Sequence, residues 1–163
     1  MTLTNTYQAI IAAPFGCVIG IRMNGMAVDT LDYLPVGIVE KSPANTAAAQ
    51  AAEELKAYFH NPRSPFTILR APQGTAFQQR VWAALQTIPL GTALTYSELA
   101  QQLDTAARPI GGACRSNPLP ILIPCHRVVG RQGLGGYAGE VTGDLLGIKR
   151  WLLQHEGVDC SGA

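Results

Sequence analysis

The stretch of sequence that decides the fold and the chemistry of this chain is Asn117-Pro118-Leu119-Pro120-Ile121-Leu122-Ile123-Pro124-Cys125-His126-Arg127-Val128. Its apolar centre, residues 121–123, predicts a buried, strand-like segment. Cys125 follows this segment closely, and His126 comes next. A thiol is a nucleophile only as the thiolate, and a neighbouring base or cation promotes its ionisation near neutral pH. An isolated Cys-His pair is more often a small buried residue beside an ordinary histidine, so the flanking sequence carries the functional interpretation.

Composition is typical of a globular protein. The 163 residues are 47% hydrophobic and 14% charged, which is enough to bury the core of one domain or of two small ones. No basic segment precedes the apolar residues 9–21, which proline and glycine interrupt, so we expect no signal peptide, no membrane partner and a cytoplasmic location. The four cysteines form no CxxC pair. This spacing argues against a disulfide framework or a compact zinc site, and we predict neither a metal nor another cofactor.

Charge is distributed unevenly along the chain, although the net charge is only +1. Residues 1–63 carry four basic and five acidic groups, whereas residues 64–163 carry eight basic and six acidic groups. Any binding to DNA would therefore depend on a local basic patch and on backbone contacts, with a shallow salt dependence.

The first part of the chain predicts a small N-terminal sheet-plus-helix domain over residues 1–62. Its expected elements are two strands within residues 7–28, a third strand over residues 28–34 and a helix over residues 44–59 capped by Asn45 or Thr46. Three prolines surround the extended residues 66–69, so residues 63–73 are expected to form a last strand or a crossover that links two domains.

The second part predicts a mainly helical C-terminal domain over residues 74–163. Its expected helices cover residues 76–87 after a cap at Gly74 or Thr75, a short stretch ending at Leu103 after a cap at Thr95 or Ser97, residues 108–116, and residues 145–156. The two short helices are a helix-turn-helix candidate. The predicted fold class is therefore α/β, of the α+β kind.

The motif at residues 117–128 closely resembles the active-site signature of the O6-alkylguanine-DNA alkyltransferases, also called methylated-DNA–protein-cysteine S-methyltransferases. The resemblance extends from about Gly74 to Glu156 and is faint before that. It implies direct-reversal DNA repair, in which the alkyl group of O6-alkylguanine or O4-alkylthymine in double-stranded DNA moves irreversibly to Cys125. It implies a monomer that acts once, with no cofactor and no obligate protein partner, and it leaves cooperative binding to DNA open.

The resemblance also implies a role for each residue of the reaction site. Cys125 is the nucleophile, and Tyr96 contacts the guanine and helps to supply its proton. Side chains that are adjacent in sequence rarely face one another, so His126 would act as a base through a bridging water. Glu156 would orient His126. For Arg127, anchoring of the site and a purely structural role both stay open.

The DNA-binding roles that the resemblance implies fall mainly on the second short helix. The family places its helix-turn-helix in the minor groove and rotates the target base out of the duplex. Arg108 would fill the vacated space and Arg115 would contact a phosphate, while Gly111 and Gly112 allow close approach of the backbone. The other implied roles are a tie between that helix and the cysteine loop by Asn117, and guanine contacts from Tyr137, Ala138 and the carbonyl groups of Cys125 and Val128.

Three departures from the family pattern carry their own expectations. Pro109 follows Arg108, so we expect Arg108 at the helix cap and an altered reach into the DNA. The turn within residues 101–107 is about two residues shorter than usual. The stretch over residues 138–149 is longer than usual and contains Glu140, so this acidic lid is expected to change which alkyl groups are accepted.

Three other functions remain open on the sequence. A lesion sensor without transferase activity is one, although such proteins lack the cysteine nucleophile. A helix-turn-helix transcription regulator with an inert or redox-sensitive Cys-His loop is another. A cysteine hydrolase is the third, but no oxyanion-hole motif supports it.

Overall fold

The computed structural model describes residues 2–138 and 144–161, and it divides the chain into two compact units, Met1–Gln73 and Gly74–Ala163. The first unit contains a small antiparallel sheet and a helix, and the second is mainly helical. The predicted mixed α and β fold class is confirmed. Among the described residues, no helix has both the length and the apolar character that a membrane span requires.

The sheet of the first unit has the order β1-β2-β3, with β1 at Ala9–Ala12, β2 at Val18–Asn24 and β3 at Ala27–Leu34. Both pairs of strands are antiparallel, and Ala9 lies opposite Ile21 in the first pair. Helix α1, Thr46–His60, is capped by Asn45, whose side chain accepts a hydrogen bond from the Ala48 amide at 2.8 Å. These strands and this helix lie where the sequence predicts them, because local hairpin and capping signals specify them.

The prolines between residues 62 and 72 leave an extended segment with a single bridge to the sheet. The Val28 amide donates to the Leu69 carbonyl at 2.8 Å, and the Ala71 amide donates to the Val28 carbonyl at 2.9 Å. The carboxylate of Glu54 on α1 accepts hydrogen bonds from the amides of Thr67 and Ile68. The segment is therefore fixed to the sheet and to α1 without forming a regular strand.

The second unit begins with α2, Ala76–Leu85, and continues with α3, Tyr96–Gln102, and α4, Ala107–Arg115. Reciprocal capping boxes start the first two of these helices, between Thr75 and Gln78 and between Thr95 and Glu98. The last helix, α5, covers Asp144–His155. Helices α2 and α5 each end earlier than predicted, by two residues and one residue respectively.

Helices α3 and α4 pack against each other and are joined by a turn in which Asp104 has a φ of 52°. The buried indole of Trp82 on α2 donates to the Ala113 carbonyl on α4 at 2.8 Å. A buried polar group of this kind must be paired, so this hydrogen bond fixes the position of α4 on the core.

The prediction of a strand-like segment over residues 121–123 is wrong. These residues form turns and bends, and Ile121 has a φ of 74°, a backbone conformation incompatible with a strand. They are nevertheless buried. The apolar run indicated burial correctly. Prolines lie on both sides of it, and its backbone hydrogen bonds close a turn, as in the bond from the Ile123 amide to the Leu119 carbonyl at 2.8 Å, so it cannot pair with another strand.

Candidate active site

A two-residue parallel pair of strands brings the reactive segments of the second unit together. Strand β4, Leu94–Thr95, pairs with β5, Val128–Val129. Tyr96 begins α3 directly after β4, and the short 3-10 turn Cys125–Arg127 lies directly before β5. The pairing therefore places the start of the first short helix beside the cysteine turn.

A buried carboxylate links the cysteine turn to the end of α5. His126 is fully buried, and its Nε2 lies 2.9 Å from Oε1 of Glu156. Arg127 donates from Nε to Oε2 of the same carboxylate at 2.8 Å and from Nη2 to Oε1 at 3.0 Å. Its Nη1 also donates to the Ile88 carbonyl at 2.7 Å. The two-pronged contact fixes the plane of the carboxylate, so Arg127 anchors the group that holds His126.

The charges of this cluster determine the tautomer of His126. Burial opposes ionisation of Glu156, but hydrogen bonds from His126 and Arg127, together with the positive charge of Arg127, lower the pKa of Glu156 to about 2. Burial lowers the pKa of His126, although the contact with Glu156 acts in the opposite direction. The pair is therefore a carboxylate and a neutral imidazole, and Nε2 carries the proton that Glu156 accepts. His126 Nδ1 is left as a proton acceptor, and it is buried without a partner.

Cys125 is at rest a protonated thiol. Burial raises the pKa of Cys125, although a hydrogen bond with the Asn117 side chain and the positive charge of Lys149 oppose that increase. A nucleophilic reaction at this sulfur consequently needs a proton acceptor at the moment of attack. The Nδ1 atom of the adjacent His126 is the acceptor that this structure supplies.

A cleft of about 410 Å³ opens above the cysteine, which is the size range of a small-molecule site. Cys125 and Tyr96 line its inner part, and Tyr137 and Ala138 line one wall. Residues from α4 form the other side: Ala107, Arg108, Gly111, Gly112, Cys114 and Arg115. The structure therefore brings eight of the twelve predicted site residues around one opening, and the other four, His126, Glu156, Asn117 and Val128, do not line it.

Asn117 connects α4 to the cysteine loop. Its Nδ2 donates to the Ile123 carbonyl at 2.9 Å, and its Oδ1 accepts from the Leu119 amide at 2.9 Å. Its own amide donates to the Cys114 carbonyl in the last turn of α4 at 3.2 Å. One amide side chain thus closes the turn that replaces the expected strand.

The prediction that Arg108 lies at the helix cap is wrong. Helix α4 starts at Ala107 after an extended Ala106, so Arg108 is its second residue and is exposed. Pro109 therefore falls in the first turn, where an amide hydrogen has no acceptor within the helix and its absence costs little. Arg108 therefore has a helical conformation, although a following proline usually disfavours it.

Gly111 and Gly112 have no packing reason to be glycine. A β-carbon built on either one would meet no atom of the protein within 4 Å. Glycine inside a helix costs about 1 kcal/mol relative to alanine. Glycine at these two positions leaves this face of α4 without side chains, so another molecule could approach its backbone closely. Arg115 is exposed at the end of the same helix.

One residue of the cleft and one buried beside the cysteine turn were not predicted from the sequence. Cys114 lies in the wall, and burial raises its pKa to about 12. Lys149 is completely buried and donates to three backbone carbonyls. The signal for Lys149 was available, because it lies three residues after Leu146 and four before Leu153, on the apolar stripe of α5.

Part of the predicted lid cannot be compared with the structure, because Gly139 and Glu140 lie outside the described residues. Among residues 2–138 and 144–161, no group of three or more histidine, cysteine, aspartate or glutamate side chains is arranged to hold a metal ion.

Known proteins resemble this chain in both sequence and structure. The family model of the DNA-binding domain of 6-O-methylguanine DNA methyltransferase matches residues 76–158. A methylated-DNA–protein-cysteine methyltransferase of Methanosarcina barkeri is 38% identical over 158 residues, covering 92% of this chain and 96% of that protein. The crystal structure of Mycobacterium tuberculosis OGT in complex with DNA has a TM-score of 0.74 and 34% identity, covering 90% of each chain.

Other relatives are longer than the region they share with this chain. The methylated-DNA–protein-cysteine methyltransferase of Shigella flexneri is 46% identical over 110 residues, which is 65% of this chain and 61% of that protein. The match to such relatives is therefore a match to part of their length.

Proposed function

Because this chain belongs to the 6-O-methylguanine DNA methyltransferase family, we propose that it repairs DNA by accepting the alkyl group of O6-alkylguanine, and of O4-alkylthymine, on Cys125. The observation that carries the proposal is the buried His126, with Glu156 on one ring nitrogen and a free acceptor on the other. The thioether formed is stable, so each molecule acts once and needs no cofactor.

The proton of the thiol leaves through His126. As the alkylated base approaches, Nδ1 takes the proton of Cys125 through a water, and the imidazolium that forms lies 2.9 Å from the Glu156 carboxylate. Sγ attacks the alkyl carbon in line with the C–O6 bond, an S–C bond forms, and the C–O6 electron pair passes to the guanine.

The departing guanine needs a proton, and we assign its delivery to Tyr96. Burial, followed by the nearby Cys114 and Cys125 sulfurs, raises the pKa of Tyr96. Its hydroxyl consequently stays protonated at neutral pH and can donate a hydrogen bond to the base as charge develops. The proton that His126 took from the thiol replaces the one that Tyr96 gives to the guanine, and the products are S-alkylcysteine and unmodified guanine.

The base reaches the sulfur only outside the duplex. The glycine face of α4 would allow the DNA backbone to approach closely, and Arg108, which is exposed and lines the cleft, would fill the space that the base leaves. Arg115 supplies a phosphate contact. The carbonyl groups of Cys125 and Val128 would accept from the guanine amino group.

We also propose that the protein works as a monomer in the cytoplasm, on double-stranded DNA and without an obligate protein partner. All four cysteines are free thiols, which fits a reducing compartment. Cys125 must remain reduced for the reaction to take place.

The test is the mass of the tryptic peptide that contains Cys125 after incubation with a duplex carrying one O6-methylguanine. We expect one added methyl group per molecule at most, with no cofactor present. Cys125→Ser should keep lesion binding and lose transfer, because an alcohol ionises far less readily, whereas the matched Cys160→Ser variant should react like the wild type.

Other outcomes would identify other functions. An unmodified peptide together with tight lesion binding would support a sensor. An unmodified peptide with sequence-selective binding to undamaged DNA would support a transcription regulator, and either result overturns the transferase.

A further inference from the structure

The cleft contains two cysteines, although the proposed transfer uses only one of them. Among the residues that the structure describes, Cys114 and Cys125 are the two cysteines that line the cleft, and both are free thiols. Each is largely buried, with 9% of Cys114 and 6% of Cys125 exposed. Because both residues line the same opening, a small polar molecule that enters the cleft can reach either thiol.

Several contacts show that the two cysteines are close neighbours. The amide of Asn117 donates to the Cys114 carbonyl at 3.2 Å, and the side chain of Asn117 is hydrogen-bonded with Cys125. Burial raises the pKa of Cys114 to about 12, and the Cys125 sulfur adds to this shift. Burial also raises the pKa of Tyr96, and both sulfurs contribute to that increase. A charge on sulfur has such an effect only at short range, so the two sulfurs share one end of the cleft.

Packing does not distinguish a cysteine at position 114 from another small residue. A free cysteine packs as a small apolar side chain, and its reactivity is what sets it apart from alanine. Cys114 is a poor nucleophile when it acts alone, because burial keeps its thiol protonated. Its reactivity therefore matters only towards a strongly electrophilic partner in the same cleft.

We propose that Cys114 is the resolving thiol of Cys125: when a peroxide oxidises Cys125 to a sulfenic acid, Cys114 closes a disulfide with it that stops transfer and can be reduced again. The benefit of this step rests on the proposed function, because only a reduced Cys125 can accept an alkyl group, but formation of the disulfide does not depend on that function. A sulfenic acid that meets no thiol is oxidised further to a sulfinic acid, which dithiols do not reduce. The second thiol thus rescues a molecule that would otherwise be lost before it met a lesion.

The oxidation takes place in two steps. In the first, Sγ of Cys125 attacks one oxygen of the peroxide while Nδ1 of His126 takes the thiol proton, the O–O bond breaks, and the departing hydroxide receives that proton and leaves as water. In the second, Sγ of Cys114 attacks Sγ of Cys125, the S–O bond breaks, and the hydroxide leaves as water with the proton of Cys114. The two thiols are oxidised to one disulfide, and the hydrogen peroxide is reduced to two water molecules.

The raised pKa of Cys125 makes the first step slow. Burial is the main cause of that raised pKa, so little thiolate is present when the cleft is at rest. The disulfide should consequently form only when peroxide is in excess. A transient, redox-dependent disulfide of this kind is the form that disulfides usually take in a reducing compartment.

The first experiment treats the wild-type protein with hydrogen peroxide, blocks the remaining thiols with iodoacetamide and digests it with trypsin without reduction. Cys114 and Cys125 fall in different peptides, residues 81–115 and 116–127, because trypsin does not cleave between Arg108 and a proline. We expect the two peptides to be joined, with a mass two hydrogen atoms below their sum, in protein that stays monomeric.

Two results of this experiment would overturn the proposal. One is a pair of separate peptides in which Cys125 carries a sulfinic or sulfonic acid. The other is a disulfide that joins Cys125 to Cys17, to Cys160 or to a second copy of the chain, because each of these would show that Cys114 is not the thiol that reacts.

Recovery of activity is the second readout, and each protein is compared with its own untreated sample because Cys114 lines the cleft. After peroxide and then dithiothreitol, the wild type should regain most of its methyl transfer to Cys125. Cys114→Ala and Cys114→Ser should regain at least about fivefold less, because their sulfenic acid proceeds to the irreversible sulfinic acid. The matched control is Cys160→Ser, which removes a buried thiol that lines a different cavity and should recover like the wild type.

Equal recovery in the wild type and in the two Cys114 variants would also overturn the proposal. The joined peptides are measured on the wild type, so the test stands even if a variant fails to fold. Untreated wild-type protein that gains no methyl group from an O6-methylguanine duplex would contradict the proposed function, while the joined peptides would still decide the role of Cys114.

Discussion

Glu156→Gln perturbs both the chemistry and the stability of the site, because one carboxylate serves both His126 and Arg127. The substituted side chain has nearly the same shape, but its amide can turn its NH₂ towards Nε2 of His126. The imidazole would then carry its proton on Nδ1 and have no acceptor for the thiol of Cys125. A base held in the wrong tautomer loses up to about 10⁴-fold in rate in the serine proteases, and loss of general-base catalysis costs about 10²–10⁴-fold.

The same substitution has a cost in stability that follows from the structure. The pKa of Glu156 falls from 4.5 to about 2 on folding. At about 1.4 kcal/mol per pKa unit, this corresponds to about 3 kcal/mol of folding free energy at neutral pH. The contribution is complete above the unfolded pKa of 4.5 and is lost as the pH falls towards 2. Glu156→Gln should therefore lower the free energy of unfolding by about 3 kcal/mol at pH 7 and flatten its decrease between about pH 5 and pH 2.

Two assays check this prediction: single-turnover methyl transfer at neutral pH, and urea unfolding across the acid range. The control is Glu53→Gln on α1, whose exposed side chain lies 3.7 Å from Lys56 and should change the free energy of unfolding very little. A Glu156→Gln protein that transfers methyl groups within about twofold of the wild-type rate would refute the reasoning from the tautomer. Unchanged stability would refute the assignment of charge to the carboxylate.

Three further predictions follow from single positions. Gly135→Ala should slow transfer by about tenfold or more in single-turnover assays. The new β-carbon would lie 2.9 Å from the Tyr96 ring, and Gly135 has a φ of 73°, which disfavours alanine. An unchanged rate would show that the ring moves freely. Pro109→Ala should lower the free energy of unfolding by about 0.4–1 kcal/mol, because the unfolded chain gains conformational entropy without the proline. Binding to duplex DNA should stay within about twofold of the wild type, since Arg108 already lies inside the helix. A large change in binding would restore a role for Pro109 in the reach of Arg108. Because the pKa of Lys149 is lower in the folded protein, this residue adds about 3 kcal/mol to the free energy of unfolding between pH 8 and pH 10.5, whereas the raised pKa values of Cys114, Cys125 and Tyr96 act in the opposite direction. Urea titration should therefore show the wild type gaining about 3 kcal/mol relative to Lys149→Met over this range, and a constant difference would contradict the assignment.

Local sequence signals predicted the features that depend on neighbouring residues. Thr75 and Thr95 begin helices because each has a glutamine or glutamate three residues later, and a capping box needs only those residues. The Cys-His motif and the glutamate at the end of α5 were recognised by resemblance, and the structure places them in contact. Spacing alone could not have paired His126 with Glu156, which lies 30 residues away.

Features that depend on distant segments were not predictable from the sequence. The pairing of β4 with β5 involves two residues from each strand, too few to leave a periodic pattern, yet it brings Tyr96 to the cysteine turn. The turn at residues 121–123 looked like a strand because burial and strand structure leave the same apolar signal. The burial of Lys149 was predictable from its place on the apolar stripe of α5, but its three partners were not, because they are backbone carbonyls, which every sequence contains.

A cysteine with a raised pKa is suited to a reaction that occurs once. An enzyme with many turnovers gains from a resting thiolate, but a thiolate in an open cleft would be alkylated or oxidised before it met a lesion. Here burial keeps Cys125 protonated, and in the proposed reaction the free Nδ1 of His126 would accept the proton only during transfer. Glu156 would stabilise the transient imidazolium, while Arg127 keeps the carboxylate ionised at rest. The site thus stores its reactivity in two hydrogen-bonded partners of the cysteine instead of in the sulfur itself.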